Sequence, residues 1–218
     1  NTGVPTIVIL VNGRPLGVEW IADHVAALIE AWEPGSFGGQ AIADILYGKV
    51  NPSAKMPVTV PRNVGQIQSV YKHKLTSNWF PYAIGKSGPL FHFGYGLSYT
   101  TYQYTNLRLS KSEISTDETL TASIDITNTG QMDGDEIVQL YIGDDFSSVT
   151  RPLKELKGFK RISLKKGEQK TVTFDITAHM LSFYDTDMNF KVEKGTFKIM
   201  VGCSSRDEDL NTIELRVK

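Results

Sequence analysis

Five stretches in the second half of this chain alternate apolar and polar residues strictly, and a period of two is the pattern of a strand with one buried and one wet face. They are Leu120, Ala122, Ile124 and Ile126; Val138, Leu140 and Ile142; Val172, Phe174 and Ile176; Phe197, Ile199 and Val201; and Ile213, Leu215 and Val217. Turn chemistry punctuates them at Asn128-Thr129-Gly130, Asp133-Gly134, Lys166-Gly167 and Lys194-Gly195. Leu107 with Leu109, and the stretch from Leu153 to Phe159, offer two more strands. Seven short strands over about a hundred residues predict an immunoglobulin-like sandwich. Cys203 is the single cysteine, so no internal disulfide or thiolate metal cluster can replace a packed core. With 40% apolar residues in 218, the chain has enough material for ordinary cores.

The first sixty residues follow different rules. "PTIVILV" is a continuous β-branched run, as expected of a parallel strand buried on both faces. "VEWIADHVAALIEAW" then places Val18, Ile21 and Val25 at helical spacing before a second apolar run, Ala26 to Trp32. After "EPGSFGG" the sequence predicts a helix from Gln40 to Tyr47, with Ala41, Ile42, Ile45 and Leu46 on one side and Gly48 as its C-terminal cap. Met56 to Val60 reads as a third strand. These pieces make a fragment of a parallel α/β sheet, which rarely stands alone, so a missing upstream portion is expected.

Between the two lies a segment of little periodicity. No Asp or Glu occurs from Ile45 to Ser112, while eight Lys and Arg residues do, and Tyr71 to Tyr104 holds 10 of the 22 aromatic residues. In "FHFGYGLSYTTYQY" the rings alternate with Gly94 and Gly96, and glycines between aromatics permit close backbone approach. This motif reads first as an anchor filling the seam between the α/β unit and the sandwich, and second as a stacking platform for sugars. The net charge of -1 offers no electrostatic footprint for nucleic acid or an anionic membrane, and no apolar run approaches a membrane span.

Candidate chemistry is sparse. Glu19, Asp23, Glu30, Glu33 and Asp44 are the only carboxylates before the sandwich. Glu19 and Asp23 sit at i, i+4 spacing, the pattern of a paired site or, as the favoured reading, of a wet helix face, and Glu33 follows an apolar strand where α/β sheets bind ligands. "PGSFGGQ" lacks both the dinucleotide and the P-loop spacing and reads as tight-turn glycines. His24, His73, His92 and His179 show no metal-ligand spacing, and Ser98 has no nucleophile-elbow context. His73 alone has a distinctive setting, between two lysines in "VYKHK".

Taken in order, "VILVNGRPL", "EAWEPGSFGGQAIADILYGKVNPSAKMPVTVPRNVGQI", "FHFGYGLSYTTYQY", "VTRPLKELKGFKRISLKKGEQKTVTFDI" and "VEKGTFKIMVGCSS" resemble the C-terminal part of a glycoside hydrolase family 3 enzyme of the β-glucosidase and β-xylosidase kind. By that resemblance, residues 1–64 correspond to the C-terminal part of an α/β sandwich domain. Residues 65–103 form an aromatic-rich connection, and 104–218 a fibronectin type III-like domain. Phe37 stands where the family often has the glutamate of Gly-x-Glu-Gly-Gly, and Ala54 where Asn-Pro-Ser-Gly is common.

The resemblance implies retaining hydrolysis of terminal β-linked sugars from oligosaccharide or aryl β-glycoside substrates, with no metal or organic cofactor. The nucleophilic aspartate and the acid/base glutamate would lie upstream, on a catalytic barrel portion and the start of the α/β domain, so no catalytic residue is carried onto this chain. Its share would be to wall the pocket with the loops after Val11 and Trp32 and with the segment from Gln66 to Tyr82. Trp32, Gln66, Tyr71, His73, Lys74 and Trp79 are the rim candidates. A periplasmic or secreted location is expected, and the reading is compatible with a homo-oligomer. The competing readings are a non-catalytic carbohydrate-binding module and a structural partner of a separate catalytic subunit.

Overall fold

A computed structural model of the chain describes residues 3–66, 69–75, 86–144 and 146–218. The continuous apolar run near the start forms strand β1, Ile7–Leu10, and the next forms β2, Ala27–Glu30. They pair in parallel, Ile7 opposite Ala27 and Leu10 opposite Glu30, across the short helix α1, Glu19–His24. A parallel sheet takes its cover from elements on both faces. Here Val8 and Leu10 are half-buried on one face, whereas Ile7 and Ile9 are 48% and 37% exposed on the other. The expected burial on both faces is therefore met on one side only by the described elements.

Helix α2, Gly38–Leu46, follows a tight turn in which Gly38 N–H donates to Gly35 O at 3.1 Å. It ends where the sequence predicts. Gly48 adopts φ 70°, and the amides of Gly48 and Lys49 donate back to Ile45 O (2.9 Å) and Asp44 O (2.8 Å), the paired bonds of a Schellman motif. Met56 to Val60 is not a third strand of this sheet. Pro57 lies within it and Pro61 follows it, and neither has an N–H to continue a ladder. It pairs instead with the aromatic segment: Met56 N–H donates to Tyr95 O and Gly94 N–H to Met56 O, both at 2.8 Å, and Val60 bridges Phe91 in antiparallel sense.

The second half is the sandwich. One sheet comprises β3 (Tyr102–Leu109), β5 (Leu120–Asn128) and β8 (Gln169–Ile176) in the order β3-β5-β8. The other runs β4-β12-β11-β6-β7, from β4 (Glu113–Ile114), β6 (Gly134–Asp144), β7 (Glu155–Leu164), β11 (Gly195–Gly202) and β12 (Leu210–Val217). All seven strands read from the sequence are present, and β4 is an addition too short to show periodicity. A small helix α3, Ala178–Leu181, and a two-rung hairpin of β9 (Phe183–Tyr184) and β10 (Phe190–Lys191) connect β8 to β11.

The alternating residues converge on one core. Ala122, Ile124, Ile126, Val138, Leu140, Ile176, Ile199 and Leu215 are completely buried, and each such aliphatic side chain beyond alanine contributes about 1.5–3 kcal/mol. Ile213 packs against this core only in part. Asn106, at φ 56°, marks a bulge between Thr105 and Arg108 on β3 and donates to Asp125 Oδ2 at 2.8 Å.

Candidate functional site

The aromatic motif lies in the seam between α/β unit and sandwich, as the anchor reading expects. Tyr71 stacks on Phe93 with ring centroids 4.2 Å apart and meets Tyr141 edge-on at 6.0 Å. Phe91 stacks on Tyr95 at 5.5 Å. Gly94 has φ 78°, and a Cβ there would fall 2.1 Å from Gln139 Oε1. That close approach lets Gln139 Nε2 donate to Gly94 O (3.1 Å) and Cys203 O (2.6 Å). Asn51 completes the seam, donating to Asp133 O at 3.0 Å and accepting from Ser98 Oγ (2.9 Å) and Tyr99 N (2.8 Å). Ser98 is thereby a structural hydroxyl. A buried ion pair sits beside it, with Lys55 Nζ 3.1 Å from Glu136 Oε1, which also accepts from Tyr104 Oη at 2.8 Å.

The carboxyl edge of β1 and β2 is the second feature, since open parallel sheets take ligands outside the carboxyl ends of their strands. Asn12, just past β1, donates to both oxygens of Glu30 at 3.0 and 3.3 Å. Trp32 N–H donates to Glu30 Oε1 at 3.2 Å, and Asn12 N–H to Trp32 O at 3.1 Å. These bonds hold Trp32 at φ 52°, a left-handed conformation that costs a non-glycine residue about 1–3 kcal/mol and persists only where surroundings over-determine it. Trp32, half-buried, is thereby fixed just past the carboxyl end of β2.

Three of the other candidates come together. Gln66, Tyr71 and His73 line a cleft of about 130 Å³ with His92, Lys154 and Asp207. Trp32 is not among its lining residues, Lys74 is exposed beside it, and Trp79 lies outside the described residues. Each of the three also has a structural duty. Gln66 accepts from Arg62 N–H (2.6 Å) and donates to Gly88 O (2.9 Å); Tyr71 Oη accepts from Leu156 N–H (3.2 Å); His73 O accepts from Leu153 N–H (3.0 Å).

Sequence reasoning missed the cleft's far wall. The buried ammonium of Lys154 donates to Ser205 O at 2.9 Å and pairs with Asp207, partners more than fifty residues away that no local pattern could disclose. His92 is half-buried, and desolvation, aided by the Arg206 guanidinium, lowers its pKa and favours the neutral imidazole.

The early carboxylates are mostly committed. Half-buried Glu19 pairs with Arg62 at 2.8 Å, tying α1 to the loop before Gln66, while Asp23 stays exposed. Asp44 accepts from Gln40 Nε2 at 2.7 Å, and Glu33 is exposed at the sheet edge. Among the described residues no group of three His, Cys, Asp or Glu side chains is arranged to hold a metal ion, and no helix is long and apolar enough to cross a membrane.

The chain is similar to known proteins along its whole length. Residues 1–99 match the glycosyl hydrolase family 3 C-terminal domain, and residues 136–205 match a fibronectin type III-like domain. A β-xylosidase from Formosa agariphila is 45% identical over all of this chain, which covers 31% of that protein. A periplasmic β-glucosidase from Salmonella typhimurium is 41% identical over 98% of the chain and 29% of its own length. Among solved structures, a β-glucosidase from Erythrobacter marinus superposes with a TM-score of 0.94 at 38% identity, covering 98% of this chain and 28% of that one. A β-glucosidase from Listeria innocua in complex with glucose gives 0.91 at 36% identity, covering 99% and 31%. The chain thus spans about three-tenths of the length of the relatives it matches.

Proposed function

The chain belongs to glycoside hydrolase family 3, of which it carries the C-terminal domain and a fibronectin type III-like domain, and on that premise we propose that it is part of a retaining β-glycosidase. The enzyme releases terminal β-linked sugars, glucose or xylose, from oligosaccharides. The observation that carries this reading is the near-complete match of the chain, in sequence and in shape, to β-glucosidases and a β-xylosidase. In the retaining reaction a carboxylate attacks the anomeric carbon as an acid protonates the departing oxygen, and water, activated by the same acid/base group, then hydrolyses the glycosyl-enzyme. Both carboxyl groups belong to the part of the protein outside this chain. The chain supplies a wall: the loops after Val11 and Trp32 at the sheet's carboxyl edge, with Trp32, Gln66, Tyr71, His73, Lys74 and Trp79 as rim residues. A periplasmic or secreted location follows the Salmonella typhimurium relative.

The test uses the whole protein that carries this chain. Hydrolysis of nitrophenyl β-glucoside or β-xyloside, with the β-anomer released first, is expected, and the chain by itself should be inactive. Trp32→Ala should raise KM several-fold. Cleavage of α-glycosides alone, or full activity from this chain alone, overturns the proposal.

A further inference from the structure

The hairpin between α3 and β11 carries more exposed aromatic surface than a connection needs. Tyr184 is 58% exposed, Met188 72% and Phe190 45%. Their rings form a continuous group: Tyr184 and Phe190 lie 5.0 Å apart with planes tilted 49°, and exposed His179 lies 5.3 Å from Phe190.

Strands of two residues do not hold a hairpin by themselves. This one is built around a buried carboxylate. Asp185 Oδ1 accepts from the N–H groups of Asp187 and Asn189, both at 2.9 Å, and Asp185 Oδ2 pairs with Lys191 at 2.7 Å. Asp185 N–H closes the loop onto Asn189 O at 3.1 Å, and Met188 sits at the tip with φ 63°. An ion pair, four hydrogen bonds including that from Met188 N–H to Asp185 O, and a strained tip residue fix a pair of rings in water. Surface apolar clusters with such a scaffold mark interaction sites.

We infer that this hairpin is a glycan-binding platform, on which Tyr184, Phe190 and His179 stack against the pyranose faces of a β-linked polysaccharide chain. The ligand class rests on the glycosidase reading; the surface does not. Ring faces suit the apolar faces of β-linked sugars, while the Tyr184 hydroxyl, Asn189 and Asp187 flank the rings with groups that hydrogen-bond hydroxyls. A protein partner fits less well. Three side chains so exposed offer on the order of 300 Å², against about 800 Å² per partner in a stable interface.

β8 ends at Ile176 opposite Leu120, whereas Asn128, at the other end of β5, meets Thr100 at the seam. The hairpin thus follows the end of β8 opposite that contact, and Arg151, which donates to Leu181 O at 3.3 Å and lies 4.7 Å over the Phe183 ring, ties its base to the segment leading to Leu153.

The experiment is native affinity electrophoresis of the whole protein through gels containing barley mixed-linkage β-glucan, birchwood xylan or, as control, dextran. Hydrolysis of nitrophenyl β-glycosides is measured on the same samples. Retardation by glucan or xylan but not dextran is expected. Tyr184→Ala/Phe190→Ala should weaken it at least tenfold, with kcat/KM on the aryl glycosides within twofold and the melting midpoint preserved. Phe190→Trp should retain binding. Absence of retardation by either β-glycan, or equal retardation of the double variant, overturns the platform. So does a fall in native mass on substitution, which would assign the rings to self-association. Failure of the glycosidase reading shows separately, as loss of aryl β-glycoside hydrolysis by the parent.

Discussion

Lys55→Met, in the protein that carries this chain, probes the seam most directly. The Lys55 side chain is 12% exposed and that of Glu136 only 3%, so the pair at 3.1 Å is out of solvent on both sides. Deleting the ammonium leaves the Glu136 carboxylate with the Tyr104 hydroxyl as its remaining seam donor at 2.8 Å. Removing one partner of a buried pair costs about 3–5 kcal/mol, because the survivor stays desolvated and unpaired. The retained Tyr104 bond holds the expected loss near the lower end, about 3 kcal/mol. At about 2–4 °C per kcal/mol for a unit of this size, the unfolding midpoint should drop on the order of 10 °C.

The double variant Lys55→Met/Glu136→Leu removes both charges but strands the Tyr104 hydroxyl, at a cost of about 1–3 kcal/mol. Recovery should therefore be partial, and adding Tyr104→Phe should bring the midpoint close to the parent. Thermal and denaturant unfolding of the four proteins read out the cycle. A loss for Lys55→Met within about 1 kcal/mol, the size expected of an exposed pair, would refute the claim that the seam is closed over these groups.

Three further outcomes follow from single residues. The Lys191 ammonium, with the N–H groups of Asn189 and Asp187, holds the Asp185 carboxyl down at about 2. A depressed carboxyl stabilises the fold above its unfolded value of about 3.9. The parent should therefore lose stability as pH falls from about 4 to 2, and circular dichroism of Asp185→Asn should show that slope reduced. Burial pushes the Cys203 thiol up to about 11, so iodoacetamide at pH 8 should alkylate it slowly in the native protein and rapidly in denaturant, and equal rates would contradict its burial. Gly94→Ala places a methyl 2.1 Å from Gln139 Oε1 at φ 78° and should cost at least about 2 kcal/mol of unfolding free energy, read by denaturant titration; a neutral result removes the close-approach argument.

The sandwich was legible because its information is local. Alternation along one strand is enough to tell which face of Leu120–Asn128 is buried, and every such segment found its place. The β1-α1-β2-α2 order was readable for the same reason. Met56 to Val60 failed because two prolines outweigh β-branched content, and the segment's hydrogen bonds go to Tyr95 and Phe91, some thirty to forty residues away. The short hairpin of β9 and β10 carries too few residues to show a period. At the candidate site, composition marked the aromatic and basic segment around Tyr71 and His73. It gave no sign that Lys154 and Asp207 close the opposite wall, nor that Trp32 is held left-handed by the carboxylate of Glu30. Those facts are set by tertiary contacts.

The two halves differ in how far they satisfy themselves. The sandwich buries its alternating residues within its own sheets, whereas β1 leaves Ile7 and Ile9 in the open and is followed by Val11 at 64% exposure. A unit in that condition needs an external reference if Asn12, Glu30 and Trp32 are to keep one geometry. The seam provides it through contacts that tolerate little sliding. Gln139 reaches the Gly94 carbonyl only where a side chain is missing, Asn51 bonds groups on both sides of the seam, and Lys55 meets Glu136 out of water. Interfaces between neighbouring domains ordinarily permit relative motion, but moving this one would expose a charge pair and break several directional bonds together. The fibronectin-like half therefore acts as a fixed buttress for the carboxyl edge of β1 and β2, and under the proposed reading of that edge as a pocket wall, a substitution at Glu136 or Gln139 should raise KM for an aryl β-glycoside.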